Sequence, residues 1–419
     1  MNGFRCILPW IHIATQVSGA TRPCCITGFS NNTTFKTSTD DSKSTLQSVT
    51  NLKHHSLDEI LNSQTARELR EEMNRGLVPK PCQICKFNEE EFGESKRLQE
   101  NRKWQSDFAQ LPMTPKLKYV DLRFGNTCNL KCVMCSAKES SSWRADYMGL
   151  AAKVESPRLK NYLHALHYEE AEPFGESNWY DIESPFWTDF FARLQDIQEI
   201  YFAGGEPLIQ KEHQWCLKQI ISRGFAGQIR LRYNTNLSYL NEAHFEMWSH
   251  FQKVDISVSL DSLERKNEFI RYPSRWTILE KNLQQLDQSN KNINFSFSFT
   301  VQALNILDVT QFIDWKSKQN FKKSKDDPTL SNISFNLLHT PHFLNARILP
   351  APMKTLARDR LFKISEVERD RRLFDLAIHM DKEDWSIYWP EFREYIRNLS
   401  DLRKQDFVAI FPDFVEYFV

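Results

Sequence analysis

Three cysteines stand at Cys128, Cys132 and Cys135, in the run Asp121-Leu-Arg-Phe-Gly-Asn-Thr-Cys128-Asn-Leu-Lys-Cys132-Val-Met134-Cys135. A thiolate is a soft ligand suited to iron in a sulfide cluster. Spacings of four and three put three sulfurs on one short loop after an apolar run, Leu117 to Phe124, that reads as a strand. Three thiolates hold three irons of a four-iron cubane and leave the fourth iron open to an exchangeable ligand. Two plainer readings stand beside this one: buried cysteines acting as small hydrophobes, or part of a zinc site, which needs four donors.

A second chemical signal follows in Tyr201-Phe-Ala-Gly204-Gly205-Glu206-Pro207, at the end of another β-like run. Paired glycines let a backbone approach a ligand closely, and a carboxylate neutralises an ammonium group. Most Gly-Gly-Glu tripeptides are only turns, so this motif gains weight from its order after the cysteine loop. Together the Cys-x3-Cys-x2-Cys loop and the Gly-Gly-Glu motif resemble the radical S-adenosylmethionine (SAM) superfamily. The resemblance implies a [4Fe-4S] cluster on Cys128, Cys132 and Cys135, with the amine and carboxylate of SAM chelating the open iron. It further implies reductive cleavage of SAM to a 5'-deoxyadenosyl radical that abstracts hydrogen from a substrate. Met134 occupies the place beside the adenine where the family usually has an aromatic or bulky residue, and a soft, adaptable Met suits it.

Length and composition set the bounds. A chain of 419 residues is long enough for two or three domains. Lys plus Arg and Asp plus Glu each number 54, and this zero net charge argues against a general nucleic-acid or anionic-membrane binder. Thirty Phe and eleven Trp exceed what a small core requires, with core filling as the plainer account. Neither a secretory signal nor a membrane span is legible, which points to a cytoplasmic protein. In that reducing compartment nine cysteines suit metal better than disulfides.

Residues 1–110 hold five of the nine cysteines. Strands over Leu8–Val17 and Ala20–Thr27 would form a hairpin about Gly19 and bring Cys6 to Cys24. The Ser/Thr/Asn-rich stretch from Ser30 to Asn51 reads as a loop. Ser56-Leu-Asp-Glu59 is a capping box that opens a helix with the stripe Leu57, Ile60, Leu61, Leu69 and Met73, ending at Gly76. Pro79 and Pro81 then deliver Cys82-Gln-Ile-Cys85. Cys6, Cys24, Cys82 and Cys85 form a plausible four-thiolate site, with structural zinc as the alternative occupant. The pattern resembles the twitch or SPASM auxiliary-cluster domain of the same superfamily, which implies a second [4Fe-4S] cluster on those four. Here it precedes the expected barrel instead of following it, and the further cysteines of a full SPASM module are missing. Cys25 is read as a bystander, as is Cys216.

From Lys116 strands alternate with helices: Leu117–Phe124, Glu199–Ala203, Ile229–Asn234, Lys253–Leu260, Asn292–Val301 and Ile333–Leu338 are the candidate strands, with helical spacing over stretches such as His213–Ile221 and Trp276–Leu286. Such alternation predicts an α/β fold with a parallel sheet. Six units match the partial (β/α)6 barrel that the resemblance implies. The expected division is an auxiliary-cluster domain of β-hairpin and helix over 1–110, a barrel over 111–342 and a C-terminal helical extension over 343–419. An aromatic-rich insertion over 139–195, with Trp143, Tyr147, Phe174, Trp179, Tyr180, Phe186 and Trp187, either covers the barrel mouth, contacts the substrate or forms an extra helix pair.

Ligands of such folds sit at the C-terminal ends of strands. Asn234, Asn236, Ser259 and Asp261 end two of them, and their short polar side chains suit the ribose hydroxyls and methionyl carboxylate of SAM. Arg271 matches the place where peptide-modifying relatives carry an arginine for that carboxylate. The resemblance implies a peptide or protein substrate and an electron donor such as flavodoxin or ferredoxin. A twitch-type dehydrogenase of a small molecule, and a non-catalytic zinc-binding interaction protein, are the competing readings. No residue is nominated as a general acid or base.

Overall fold

In Ile293-Asn-Phe-Ser-Phe-Ser-Phe-Thr-Val301 apolar and polar residues alternate at every step, and burial alternates with them along one strand. Such a two-residue period is what a strand with one face in the core requires. The computed structural model describes residues 3–27, 50–170, 178–324, 332–368 and 370–418. Most of the expected Ser30–Asn51 loop, and Phe174, lie outside these residues. Two compact units divide the chain: Met1–Gly125, Phe174–Tyr233 and Met247–Val254 make the first, and Asn126–Pro173, Asn234–Glu246 and Asp255–Val419 the second.

The first unit contains β1 (His12–Thr15), β2 (Thr21–Arg22), β3 (Tyr119–Leu122), β4 (Glu199–Phe202) and the start of β5 (Arg230–Thr235). Their order is β2-β1-β3-β4-β5. The β1 and β2 strands are antiparallel, while β1 to β3, β3 to β4 and β4 to β5 run parallel. The His12↔Tyr119 and Ala14↔Asp121 pairs join β1 to β3. The second unit carries most of β6 (Lys253–Ser259), then β7 (Ile293–Val301) and β8 (Ile333–Leu337), the last two parallel. All six strands expected from Lys116 onward are present within three residues of their expected ends. Between them lie helices such as Lys211–Ser222 and Trp276–Asp287, giving the expected α/β alternation, and helices dominate after β8.

Two N-terminal expectations need correction. Leu8–Ile11 is a helical turn and not a strand, because Pro9 fixes φ at its first positions and has no N–H to give a ladder. The expected strand Ala20–Thr27 shrinks to Thr21–Arg22, and Thr27 then folds back to donate from N–H and hydroxyl to the Cys24 carbonyl. The hairpin survives in this shortened form, with Gly19 at φ +86. The Ser56 capping box is made, but the helix it starts stops at Leu61 and resumes over Gln64–Asn74 under a second serine cap, Ser63.

Aromatics of the insertion fill the core of the first unit. Trp187 lies 5.5 Å from Phe124 and 4.9 Å from Trp215 between ring centroids, and Trp179 is fully buried with its indole N–H donated to the Val17 carbonyl. That indole closes over the hairpin turn. A Cβ on Gly19 would meet Trp179 Cδ1 and Asn51 Oδ1 at 2.7 Å each.

His12 on β1 is buried, and burial is the main force pushing its basicity down, to about 4, against the opposing pull of the Pro23 carbonyl. Nδ1 lies 3.0 Å from that carbonyl and therefore carries the ring proton. Between the ordinary value of 6.5 and about 4, the unfolded chain binds a proton that folded His12 refuses, so stability falls as pH drops through this window. Gly19→Ala is expected to lower unfolding free energy by on the order of 1–3 kcal/mol, read by denaturant titration. His12→Gln is expected to remove up to about 3 kcal/mol of the acid-side loss between those two pH values, read as a flatter stability profile than that of the parent protein.

Candidate metal centres

Four thiols of the first unit come together around one cavity. Cys6 precedes the Leu8–Ile11 turn, Cys24 follows β2, Cys82 closes a 3-10 turn at Lys80–Cys82, and Cys85 sits in the first turn of helix Gln83–Phe92. All four line a cavity walled by apolar groups such as Phe4 and Ile26, with Lys96 and Arg97 at its edge. Burial raises each thiol, Cys24 to about 12, and the thiols' mutual repulsion adds to it for Cys6, Cys24 and Cys82. Thiols held protonated in this way are poor nucleophiles, and a metal would bind them only by displacing their protons. Arg97 stacks 4.2 Å over Phe4 and pairs with Glu89 at 2.5 Å, so it stands fixed beside the sulfurs. Cys25 is not among the lining residues.

The second unit holds the loop of Cys128, Cys132 and Cys135. Its sulfurs have donors aimed at them: the Leu130 N–H at 3.5 Å and Asn236 Nδ2 at 3.9 Å from Cys128 Sγ, and Arg271 Nη1 at 4.0 Å from Cys132 Sγ. A hydrogen bond between Cys135 and Cys132 makes Cys132 ionise more readily and Cys135 less, burial opposing the first and reinforcing the second; Arg271 assists ionisation of both. Donors on sulfur fit thiolate ligands of a cluster, whose charge they offset. Among the described residues no three His, Cys, Asp or Glu side chains are close enough to clasp a single ion as they stand.

The loop is held through its backbone. Lys131 N donates to Tyr272 O at 2.5 Å and Val133 N to Ile270 O at 2.7 Å. Trp143 donates its indole N–H to Cys132 O at 2.9 Å, Ser142 its hydroxyl to Cys128 O and Ser140 to Leu130 O, each at 2.6 Å. From the far end of the chain, Tyr395 donates to Val133 O at 2.9 Å and Arg403 to Lys131 O at 2.6 Å. The sequence reading missed Tyr395 and Arg403. The available signal was an arginine on the apolar face of helix Trp389–Arg403, in step with Phe392, Ile396 and Leu399.

Among the expected SAM contacts, Asn236 reaches a cysteine sulfur, whereas Asn234 is exposed and Ser259 and Met134 are half-buried. Asp261 is fully buried, accepts from the Thr300 N–H at 2.7 Å and pairs with Arg271 Nε at 2.7 Å. Arg271 spends Nε on Asp261 and turns Nη1 to Cys132. Within the first unit, Gly204 and Gly205 both adopt left-handed φ, +81 and +52, and a Cβ on Gly204 would meet the Arg123 side chain at 2.9 Å. Glu206 is buried and accepts from the Leu208 N–H at 3.1 Å.

Residues 6–86 match the family model of an iron–sulfur cluster-binding domain named SPASM. This segment is similar to that domain. The match begins at Cys6 and ends one residue past Cys85, so it encloses the four thiols that share the cavity. No curated protein matches the sequence. Solved structures with partial likeness include anSMEcpe with bound AdoMet and Cp18Cys peptide (17% identity over 52% of this chain and 50% of that one, TM-score 0.32). SuiB of Streptococcus suis bound to S-adenosylmethionine gives 13% identity over 61% and 54%, TM-score 0.31. TYW1 with a lysine-pyruvate adduct gives 13% over 47% and 60%, TM-score 0.26. The chain spans roughly half to three fifths of the length of these structures, and overlap at such scores carries no inference about activity.

Removing the Asp261 carboxylate leaves a buried guanidinium beside the cysteines without its counter-charge. Asp261→Asn is expected to cost about 3–5 kcal/mol of stability, measured by denaturant unfolding, where a loss under about 1 kcal/mol would show that the pair is not a buried one.

Proposed function

We propose that the protein is a radical SAM enzyme with a [4Fe-4S] cluster on Cys128, Cys132 and Cys135 and an auxiliary [4Fe-4S] cluster on Cys6, Cys24, Cys82 and Cys85. The observation that carries this reading is the second unit's trio of cysteines on a pinned loop, with three donors directed at two of the sulfurs. A zinc site of the ordinary closed kind needs a fourth protein ligand, which the loop's neighbourhood does not supply in sequence. When bound, the cluster and SAM supply one-electron reductive cleavage and hydrogen-atom abstraction from a carbon.

The chain's own residues have supporting tasks. Arg271, aimed by Asp261, and Asn236 offset negative charge on the sulfurs. Trp143 and Tyr395, both buried, exclude water from the loop's peptide groups. For SAM, the residues proposed from the family resemblance are Met134, Gly204, Gly205, Glu206, Asn234, Asn236, Ser259, Asp261 and Arg271. The proposed substrate is a peptide or protein and the proposed electron donor a flavodoxin or ferredoxin, both from that resemblance. No helix of the described residues is long and apolar enough to cross a membrane.

Anaerobic reconstitution of the full-length protein is expected to give about eight irons with matching sulfide, as two cubanes require. Replacing Cys128, Cys132 and Cys135 by Ala is expected to leave about four irons and abolish formation of 5'-deoxyadenosine. Zinc in place of iron, or SAM cleavage that survives the triple replacement, would overturn the proposal. Turnover with lysate peptides, read by mass spectrometry, tests the substrate class: a mass-shifted peptide is expected, and modification of small molecules alone contradicts it.

A further inference from the structure

The helix Trp389–Arg403 closes on the three residues centred on Cys132. We propose that Tyr395 and Arg403 are positioning residues of the Cys128–Cys135 cluster, holding its loop in binding shape; this rests on the reading of that loop given above.

The backbone groups of Lys131, Cys132 and Val133 are pinned from opposite sides. Their N–H groups at Lys131 and Val133 are taken by carbonyls of Tyr272 and Ile270. Their carbonyls at Lys131, Cys132 and Val133 are taken by Arg403, Trp143 and Tyr395. Both sets lie within the second unit. Arg403 is itself immobilised: Nε donates to Asp146 Oδ2 at 2.8 Å, and the guanidinium lies 4.8 Å from the ring centroids of Trp143 and Tyr272. The other Asp146 oxygen takes the Lys131 ammonium at 2.6 Å. One carboxylate thus ties the loop and the C-terminal helix together.

Ordinary helix packing explains this poorly. A buried arginine carries a desolvation cost that an apolar residue of equal size avoids, and such replacements are often neutral or stabilising. The arginine is accounted for by the carbonyl it holds and the charge it brings. Outer partners of this kind govern how firmly ligands keep a metal.

The test uses full-length protein with both clusters reconstituted, and follows iron loss to a chelator alongside melting temperature. Iron retained by the Cys128, Cys132 and Cys135 triple-alanine variant defines the auxiliary phase. Arg403→Gln and Tyr395→Phe are expected to speed loss of the other phase about 10–100-fold while the auxiliary phase keeps its parent rate. Arg403→Lys, which keeps the charge, is expected to recover part of the difference. Equal acceleration of both phases, or parent rates for both, would overturn the proposal. Should Arg403→Gln fail to fold, Tyr395→Phe removes a single oxygen and decides the matter. If the parent protein holds zinc, the functional reading falls, and the same comparison following zinc still decides the clamp.

Discussion

Negative charge on sulfur, taken out of water, is the constraint that the proposed cluster places on the second unit. A thiolate buried without compensation reverts to a thiol, and a thiol does not hold iron. The structure answers with donors placed on or near the sulfurs: a backbone N–H and an amide at Cys128, a guanidinium at Cys132. Arg271 is itself expensive to bury, so Asp261 pairs with it, and Asp261 is in turn held by the Thr300 N–H. Each layer exists because the layer inside it carries charge. The loop forms no regular structure of its own, and its peptide groups find partners in Ser140, Ser142, Trp143, Tyr395 and Arg403.

The first unit meets a related demand with a different arrangement. Its four thiols come from three separate stretches, and what gathers them is local: a helical turn started by Pro9, a hairpin turned at Gly19 and closed by Trp179, and a helix entered through Pro79 and Pro81. The His12↔Tyr119 pairing then adds this N-terminal hairpin to the same sheet as β3 and β4. The segment at residues 6–86 that resembles an iron–sulfur domain is thereby built into the edge of an α/β unit, and its own hairpin is too short to stand alone.

Legibility followed the range of the interactions. The six strands after Lys116 were readable because alternation like that of Ile293–Val301 is a local property, and the Ser56 cap because a capping box spans four residues. Leu8–Ile11 misled because its apolar run suits either state and the proline's helix-starting role was overlooked. The Cys128 loop announced itself through spacing. Its supports did not: Tyr395 and Arg403 act across 262 and 272 residues of sequence, a separation at which pattern carries no information. Asp261 and Arg271 were both singled out as ligand contacts, and only the geometry revealed that each is the other's partner.

The proposed function depends on one iron of the proposed Cys128–Cys135 cluster lacking a protein ligand. The direct measurement is electron paramagnetic resonance of the reduced Cys82→Ala/Cys85→Ala protein, in which that cluster is observed alone, before and after addition of SAM. A changed spectrum, as a ligand enters the open coordination position, is the predicted result. A cluster signal that SAM leaves unaltered at saturating concentration would contradict the account.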